Sequence, residues 1–508
     1  MIRKNCTYIS SIFETILEFK KGFMKFDYDV IIIGSGPAGF SCAMQSTKFD
    51  KKVLIVEASE SNIGGTWISK GTVPSKALRA AAKLIQSFES QFGDEKGRKP
   101  YERFRMEDIM AYKKPILESK NKKVKDDIIK NEVETARGWG RFVDEHTVEV
   151  VDQLNEKKTY TAEYILISTG SRPTVPGNIN IDHTKVLDYT SILDLTHIPR
   201  RLVIIGSGTI TVEFATIFAA LGTRVAILNE QEEILPFLDH EIKSALLQTF
   251  KKKNIQLENS VSIEKVATNE LRNCDEVHYK TNTMDRLRVV ETDHVLYIGG
   301  KAPNTNNLGL KEIGVKMDDE GYVAVNNMYQ SSVESIFAAG DVIGQPSLAS
   351  ASFLQGRLAS VKMFGNPDEI SNSDTDLPFG IYSIPEIAGI GLTEDQAREL
   401  GMDITVGRAY YDNLTKADLN HETDGILKLI FRTDNLQLVG VQIYGEYAAD
   451  LVHLGQSVMA NNGSIKFFIQ RVLNYPTYSE AYKIAAFNGL NRVSKSGVKY
   501  KKLLDRDK

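Results

Sequence analysis

Two stretches of this chain are continuously apolar and β-branched before they break into glycine. Tyr28-Asp-Val-Ile-Ile-Ile-Gly-Ser-Gly-Pro-Ala-Gly39 predicts a strand, a tight turn and then a helix, and Leu202-Val-Ile-Ile-Gly-Ser-Gly-Thr-Ile-Thr211 repeats the pattern. After each, a second apolar strand follows, Val53 to Val56 and Val225 to Leu228. Runs with no polar alternation predict strands buried on both faces of a parallel sheet. Two such strand–helix–strand units predict two nucleotide-binding domains. Between them, Met106 to Glu134 is dense in Lys, Asp and Glu and predicts a solvated helix. Beyond Gly340-Asp341, Ser347 to Gly356 predicts another helix. From about Asp376 the pattern becomes α+β, with strands at Gly425 to Phe431 and Leu438 to Tyr444 and no glycine fingerprint. The last ten residues are charged and predict a frayed end.

At 508 residues the chain is long enough for two to four domains. With 42% hydrophobic and 25% charged residues it has an ordinary globular balance. A net charge of −4 gives no electrostatic case for nucleic acid or an anionic membrane as partner. Cys6, Cys42 and Cys274 stand far apart with no CxxC or metal-ligand spacing, which suits a reducing cytoplasm and no metal site. Residues 1–23 precede a second methionine, Met24, and their apolar run is broken by Glu14, Glu18 and Lys20. They are too interrupted for a secretory signal or a membrane span, and read either as an over-called start or as a local docking helix.

In the first fingerprint, Gly34 permits the turn, Gly36 lets backbone approach a pyrophosphate, and Gly39 lets helix and strand close up. The helix N-terminus would meet the phosphates with its positive end. Glu57 ends the next strand 23 residues after Gly34, where a carboxylate can accept from ribose hydroxyls. In the second fingerprint Gly206 and Gly208 are kept, but the third position is Thr211, which predicts slightly looser packing. The acid's slot, again 23 residues on, holds Asn229. A neutral amide there suits NAD or NADP. The next residues, Glu230-Gln-Glu-Glu233, offer no arginine for a 2′-phosphate and favour NAD; the other reading is an acidic loop with no ligand role.

Lys76 follows Pro74 near the start of an apolar helix, and Glu213 lies two residues past the second fingerprint. Alone they read as a surface lysine and a first-turn glutamate. Ser335 to Asp341 reads as a short buried strand ending in Gly340-Asp341, a candidate for holding the ribityl and phosphate groups of a flavin. Tyr475, in Asn474-Tyr-Pro-Thr-Tyr-Ser-Glu480, is a poor general base at neutral pH and suits packing or hydrogen bonding.

Together these pieces resemble the flavoprotein disulfide reductase family, which includes lipoamide dehydrogenase and glutathione reductase, over about Tyr28 to Arg492. The family's redox motif reads GGTCxxxGCxPSK; here it is GGTWISKGTVPSK, with Trp67 and Thr72 in place of both cysteines. The family's catalytic histidine before Pro-Thr is Tyr475 here, and Glu480 matches the acid that orients it. Within the family the chain is most similar to the soluble pyridine nucleotide transhydrogenases, at Gly71 to Arg79, Gly340 to Ala351, Gly380 to Ile387 and Asn474 to Arg492. That subfamily usually keeps the first cysteine, so Trp67 is a further departure.

The resemblance implies an α/β fold with two Rossmann-like domains of three-layer ββα type and a C-terminal α+β dimerisation domain. Its divisions are an FAD domain at 24–175 and 298–370, an NAD(P) domain at 176–297, and an interface domain at 376–497. It implies a homodimer, with Tyr475 near the partner's flavin. Lys76, Glu213, Thr72, Tyr475 and Glu480 would serve the reaction. Gly65, Thr66, Thr169, Gly170, Gly300, Gly340 and Asp341 would join the fingerprints, Glu57 and Asn229 in holding FAD, NAD and NADP. The activity it implies is ping-pong hydride exchange between NADPH or NADH and NAD(P)+ through the flavin. Two alternatives stand beside it: an NADH diaphorase or oxidase feeding quinone or oxygen, and a catalytically quiet flavoprotein serving as a binding or structural subunit.

Overall fold

The computed structural model describes residues 26–92, 98–272, 274–282, 284–366 and 377–495. The expectations for residues 1–23 and for the last ten residues fall outside these. The described residues group into two compact units. The first comprises the described residues within 26–69, 118–172 and 302–366; the second comprises those within 70–117, 173–301 and 377–495. The sequence division kept 70–117 with the first fingerprint, whereas compactness groups it with the second.

In the first unit, β1 (Tyr28–Ile33) leads into α1 (Pro37–Thr47) and β2 (Val53–Glu57). With β3 (Glu134–Arg137), β4 (Trp139–Asp144), β5 (Thr147–Val151), β6 (Lys157–Ile167) and the strand Ile336–Ala338 they form a 7-stranded sheet. β1 runs parallel to β2 and to β6, and Ile336–Ala338 adds to β6 in parallel. β4, β5 and β6 form an antiparallel meander. The absence of polar alternation in β1 has its cause here: Val30 and Ile32 pack with Ala38 and Cys42 of α1, while Ile31 and Ile33 pack with Phe142 and Val148 of the meander. The helix Ala349–Phe364 lies so close to α1 that a methyl on Gly356 would stand 1.9 Å from the Ala38 carbonyl oxygen.

The second unit repeats this plan. β7 (Val186–Leu187), β8 (Arg201–Ile205), β9 (Arg224–Leu228), β10 (Gln256–Glu258) and β14 (His294–Tyr297) form a parallel sheet in the order β10-β9-β8-β14-β7. Its meander is β11 (Val261–Asn269), β12 (Cys274–Thr281) and β13 (Met284–Thr292). The long helices that lie wholly within this unit are α2 (Thr72–Phe92), α3 (Thr209–Ala220), α4 (His240–Lys252), α5 (Ala448–Ala460) and α6 (Glu480–Lys495). The C-terminal part is an antiparallel sheet of β15 (Phe379–Ile381), β16 (Glu386–Gly391), β17 (Ile404–Tyr410), β18 (Ile426–Arg432) and β19 (Leu438–Gly445), in the order β15-β16-β19-β18-β17. Among the described residues, no helix is long and apolar enough to cross a membrane.

Candidate functional site

Each fingerprint builds the same feature, a helix whose first amides no side chain caps and whose N-cap glycine faces open space. In the first unit a methyl on Gly34 (φ 102°) would stand 2.4 Å from the Ser168 carbonyl oxygen, and one on Gly39 would stand 2.0 Å from the Gly34 oxygen. Packing therefore forces both to be glycine. Gly36 differs: it is the N-cap of α1, no side chain caps the helix, and a methyl there would meet nothing within 4 Å. Uncapped amides beside an open glycine fit an anion, as the pyrophosphate of a dinucleotide requires.

Glu57 braces this turn. Its Oε2 accepts from the Ser35 hydroxyl at 2.6 Å and from the Ser35 amide at 3.1 Å, while Oε1 takes only a 3.4 Å bond from the Ser59 amide. One oxygen thus holds the loop, and the other is engaged only by the long bond from Ser59. The Gly64 amide donates to Ser35 Oγ at 3.0 Å, and a methyl on Gly65 (φ 79°) would stand 2.6 Å from Gly36 Cα, so the GGT motif packs directly on the fingerprint. Thr66 is exposed and opens the short helix Thr66–Ser69.

Thr169 Oγ1 donates to the Asn304 carbonyl at 2.7 Å, and the Asn304 amide donates to the carbonyl of Gly170 (φ 70°) at 2.9 Å. The amide of Gly340 (φ 83°) donates to Gln355 Oε1 at 2.8 Å, and Asp341 accepts from Ser171 Oγ at 2.8 Å. Ser35, Ser168, Asn304, Gln355 and Gly356 escaped the sequence reading, although Ser35 stands between two fingerprint glycines. Trp67 is half-buried edge-to-face on Phe353, with ring centroids 5.4 Å apart. Its indole N–H has no partner among the described residues.

In the second unit, Gly206 again turns against backbone, where a methyl would stand 2.6 Å from the Ile298 carbonyl oxygen. Gly208 caps α3 with nothing within 4 Å and no side-chain cap. Thr211 fits with no exposure at all, but its hydroxyl is buried without a partner among the described residues. Gly300 (φ 129°) accepts from the Thr174 amide at 3.2 Å.

Asn229 departs from its expected role of facing a ribose. It is fully buried, its Nδ2 donates to Asn259 Oδ1 at 2.8 Å, and its Oδ1 accepts from the Gln231 amide at 2.9 Å. The amide is consumed in holding the acidic loop. Glu230 and Glu232 are the exposed groups there, and neither has a cationic partner among the described residues; Glu233 is paired with Lys243 at 2.8 Å. Burial and nearby Glu230 push the Tyr297 hydroxyl above its usual pKa.

Lys76 and Glu213 meet. Lys76, one turn into α2, donates to Glu213 Oε1 at 3.0 Å and to Oε2 at 2.8 Å, and Glu213, in the first turns of α3, is 7% exposed. The Tyr382 amide, from the loop between β15 and β16, also donates to Glu213 Oε1 at 2.9 Å. The Lys76 ammonium sits 4.6 Å from the Tyr382 ring centroid. Burial raises the Tyr382 hydroxyl pKa, with Glu386 and Glu213 adding to it. Thr72 is exposed at the first position of α2.

Tyr475 is 71% exposed and shares a 2.8 Å hydrogen bond with Thr415 Oγ1. Glu480 does not orient it. Glu480 accepts instead from the Thr477 amide at 3.2 Å, three residues before it at the start of α6, as a helix-capping carboxylate does. Cys42 and Cys274 are buried free thiols, and burial pushes Cys42 up to about 12.

Residues 28–356 match the family described as pyridine nucleotide-disulphide oxidoreductase, and residues 377–486 match its dimerisation domain. The soluble pyridine nucleotide transhydrogenase of Hahella chejuensis is 37% identical over 477 residues, covering 92% of this chain and 99% of that protein. The protein of the same name from Pseudomonas paraeruginosa is 37% identical over 481 residues, with the same coverage. Among solved structures, the HOCl-induced flavoprotein disulfide reductase of Escherichia coli aligns with a TM-score of 0.80 at 24% identity, covering 91% of this chain and 99% of that one. LpdA of Mycobacterium tuberculosis aligns at 0.81 and 22%, covering 90% and 99%. At these identities the structural likeness speaks for the fold alone. The family match over most of the chain and the sequence relatives agree: the chain belongs to the pyridine nucleotide-disulphide oxidoreductases.

Proposed function

We propose that this protein is a cytoplasmic transhydrogenase that exchanges hydride between NADPH or NADH and NAD(P)+ with bound FAD, by ping-pong kinetics and without a redox disulfide. The observation that carries this reading is the pairing of two uncapped, glycine-open cradles with Trp67 and Thr72 at the two thiol positions of the motif. Neither side chain forms a disulfide, so electrons have no sulfur relay.

FAD supplies reversible two-electron hydride chemistry when bound. The α1 amides and Gly36 would hold its pyrophosphate, and Oε1 of Glu57 a ribose. The α3 amides and Gly208 would hold the pyrophosphate of the nicotinamide dinucleotide. Glu213 fixes the Lys76 ammonium through two hydrogen bonds, and it is itself fixed by the Tyr382 amide. A fixed cation beside the reacting groups tunes their electron affinity.

The test is transfer from NADPH to a thio-NAD analogue by purified, FAD-loaded protein, insensitive to arsenite. No transfer to any NAD analogue overturns the reading. A second reading, an NADH diaphorase or oxidase, gains support from the acidic rim. Among the described residues no cation pairs with Glu230 or Glu232, where a 2′-phosphate would bring more negative charge. Oxygen uptake with NADH alone separates the two.

A further inference from the structure

The loop between β15 and β16 is fastened to both helices that carry the Lys76–Glu213 pair. The Tyr382 amide donates to Glu213 at 2.9 Å, and the Ile384 amide donates to Thr216 Oγ1, one turn along α3, at 3.0 Å. Arg79, one turn beyond Lys76 on α2, donates from Nε to the Ser383 carbonyl at 3.0 Å and pairs with Glu386 at 3.0 Å. Consecutive residues of one loop are thus held from two sides. Their common effect is to lock the Tyr382 ring 4.6 Å from the Lys76 ammonium.

Lysine is a point charge on a long flexible stem, and a carboxylate alone leaves it free to swing about the pair. The ring face supplies a second, non-hydrogen-bonding contact on another side of the ammonium. We infer that Tyr382 is a positioning residue: its aromatic face, not its hydroxyl, holds the Lys76 ammonium in the one orientation in which the hydride site uses it. This rests on the proposed function only in taking Lys76 to attend the flavin. A cation–π contact of this partly desolvated kind corresponds to about a tenfold bias in an equilibrium.

The experiment compares full-length, FAD-loaded wild type with Tyr382→Phe and Tyr382→Leu. It measures the flavin midpoint potential, the rate of flavin bleaching by NADH, and the Kd for NADH. Phe keeps the ring and should match wild type within about twofold in all three. Leu should bleach about tenfold more slowly, with a midpoint lower by about 30 mV, which is tenfold for a two-electron couple. Its NADH affinity should be unchanged. If Leu reduces FAD loading, pentafluorophenylalanine at 382 keeps the ring's shape and inverts its charge pattern; it should reproduce the loss. A Leu variant with the wild-type potential and rate overturns the inference, as does a Phe variant as impaired as Leu. If NADH does not bleach wild type at all, the functional reading itself has failed and this inference goes with it.

Discussion

Replacing Lys428 by methionine should cost the second unit about 3–5 kcal/mol at neutral pH, because it strands carboxylates that have lost their water. Lys428 on β18 has no exposed side-chain surface. Its ammonium contacts Asp239 at 2.9 Å, Glu241 at 2.7 Å and Glu394 at 2.8 Å. Asp239 is equally buried, and it caps α4 by accepting from the Glu241 amide. Arg408 is a second cation of the cluster, at 2.6 Å from Glu241 and 3.1 Å from Glu394. Arg398 adds a third cation, 2.8 Å from Glu394 at the rim; three acids thus face three bases, and the methionine variant leaves three facing two, with Asp239 losing its ammonium partner.

The pH dependence gives the sharper test. Bonds from Arg408 and Lys428 outweigh burial and hold Glu241 at about 2, against an ordinary 4.5; bonds from Lys428 and Arg398 do the same for Glu394. A depressed carboxylate contributes stability that is present above its unfolded value and lost as pH falls through its folded value. Each carries about 3 kcal/mol of that kind, and the two sum to less because they share Lys428. Wild type should therefore lose stability steadily from about pH 5 toward pH 2. In the variant the carboxyls protonate early and relieve the penalty, so the gap from wild type should be widest at pH 7 and shrink on acidification. Urea denaturation across that range reads both quantities. A gap below about 1 kcal/mol, or one independent of pH, refutes the reasoning.

Two further outcomes are expected. Gly39→Ala forces a methyl to within 2.0 Å of the Gly34 oxygen and 2.7 Å of Ser168 Oγ, so the purified variant should carry no FAD absorbance while its second unit still binds NADH. Glu230→Arg puts a cation on the exposed acidic loop and should tighten NADPH relative to NADH by about tenfold at low salt, fading as ionic strength rises; titration by fluorescence checks it.

The parts of the site that the sequence announces are those fixed within one turn of chain. Gly34, Gly36 and Gly39 declare themselves because turn, phosphate approach and packing all act within six residues. The continuous runs of β1 and β8 declare a doubly covered sheet for the same reason. The Lys76–Glu213 bond spans 137 residues, and no local pattern in the sequence pairs the two. Tyr382 lies within the Gly380 to Ile387 match, but its role had no local signal: that role lies in bonds to α2 and α3 that no spacing rule encodes.

Asn229 shows most plainly where position ceases to imply role. Counting from Gly206 puts a residue at the end of β9, but not the direction of its side chain. That direction is set by Asn259, just past the end of β10, whose Oδ1 accepts from the amide, and by the Gln231 amide, which needs an acceptor. An aspartate in the same slot would keep the bond from the Gln231 amide but bury a charge and lose the donor to Asn259 Oδ1, so the neutral amide suits its protein neighbours. On the proposed function, selection between NAD and NADP would then fall to the next exposed groups, Glu230 and Glu232, which have no cationic partner among the described residues. If that is so, Asn229→Asp should destabilise the fold without changing cofactor preference, whereas charge reversal at Glu230 should change preference without changing stability.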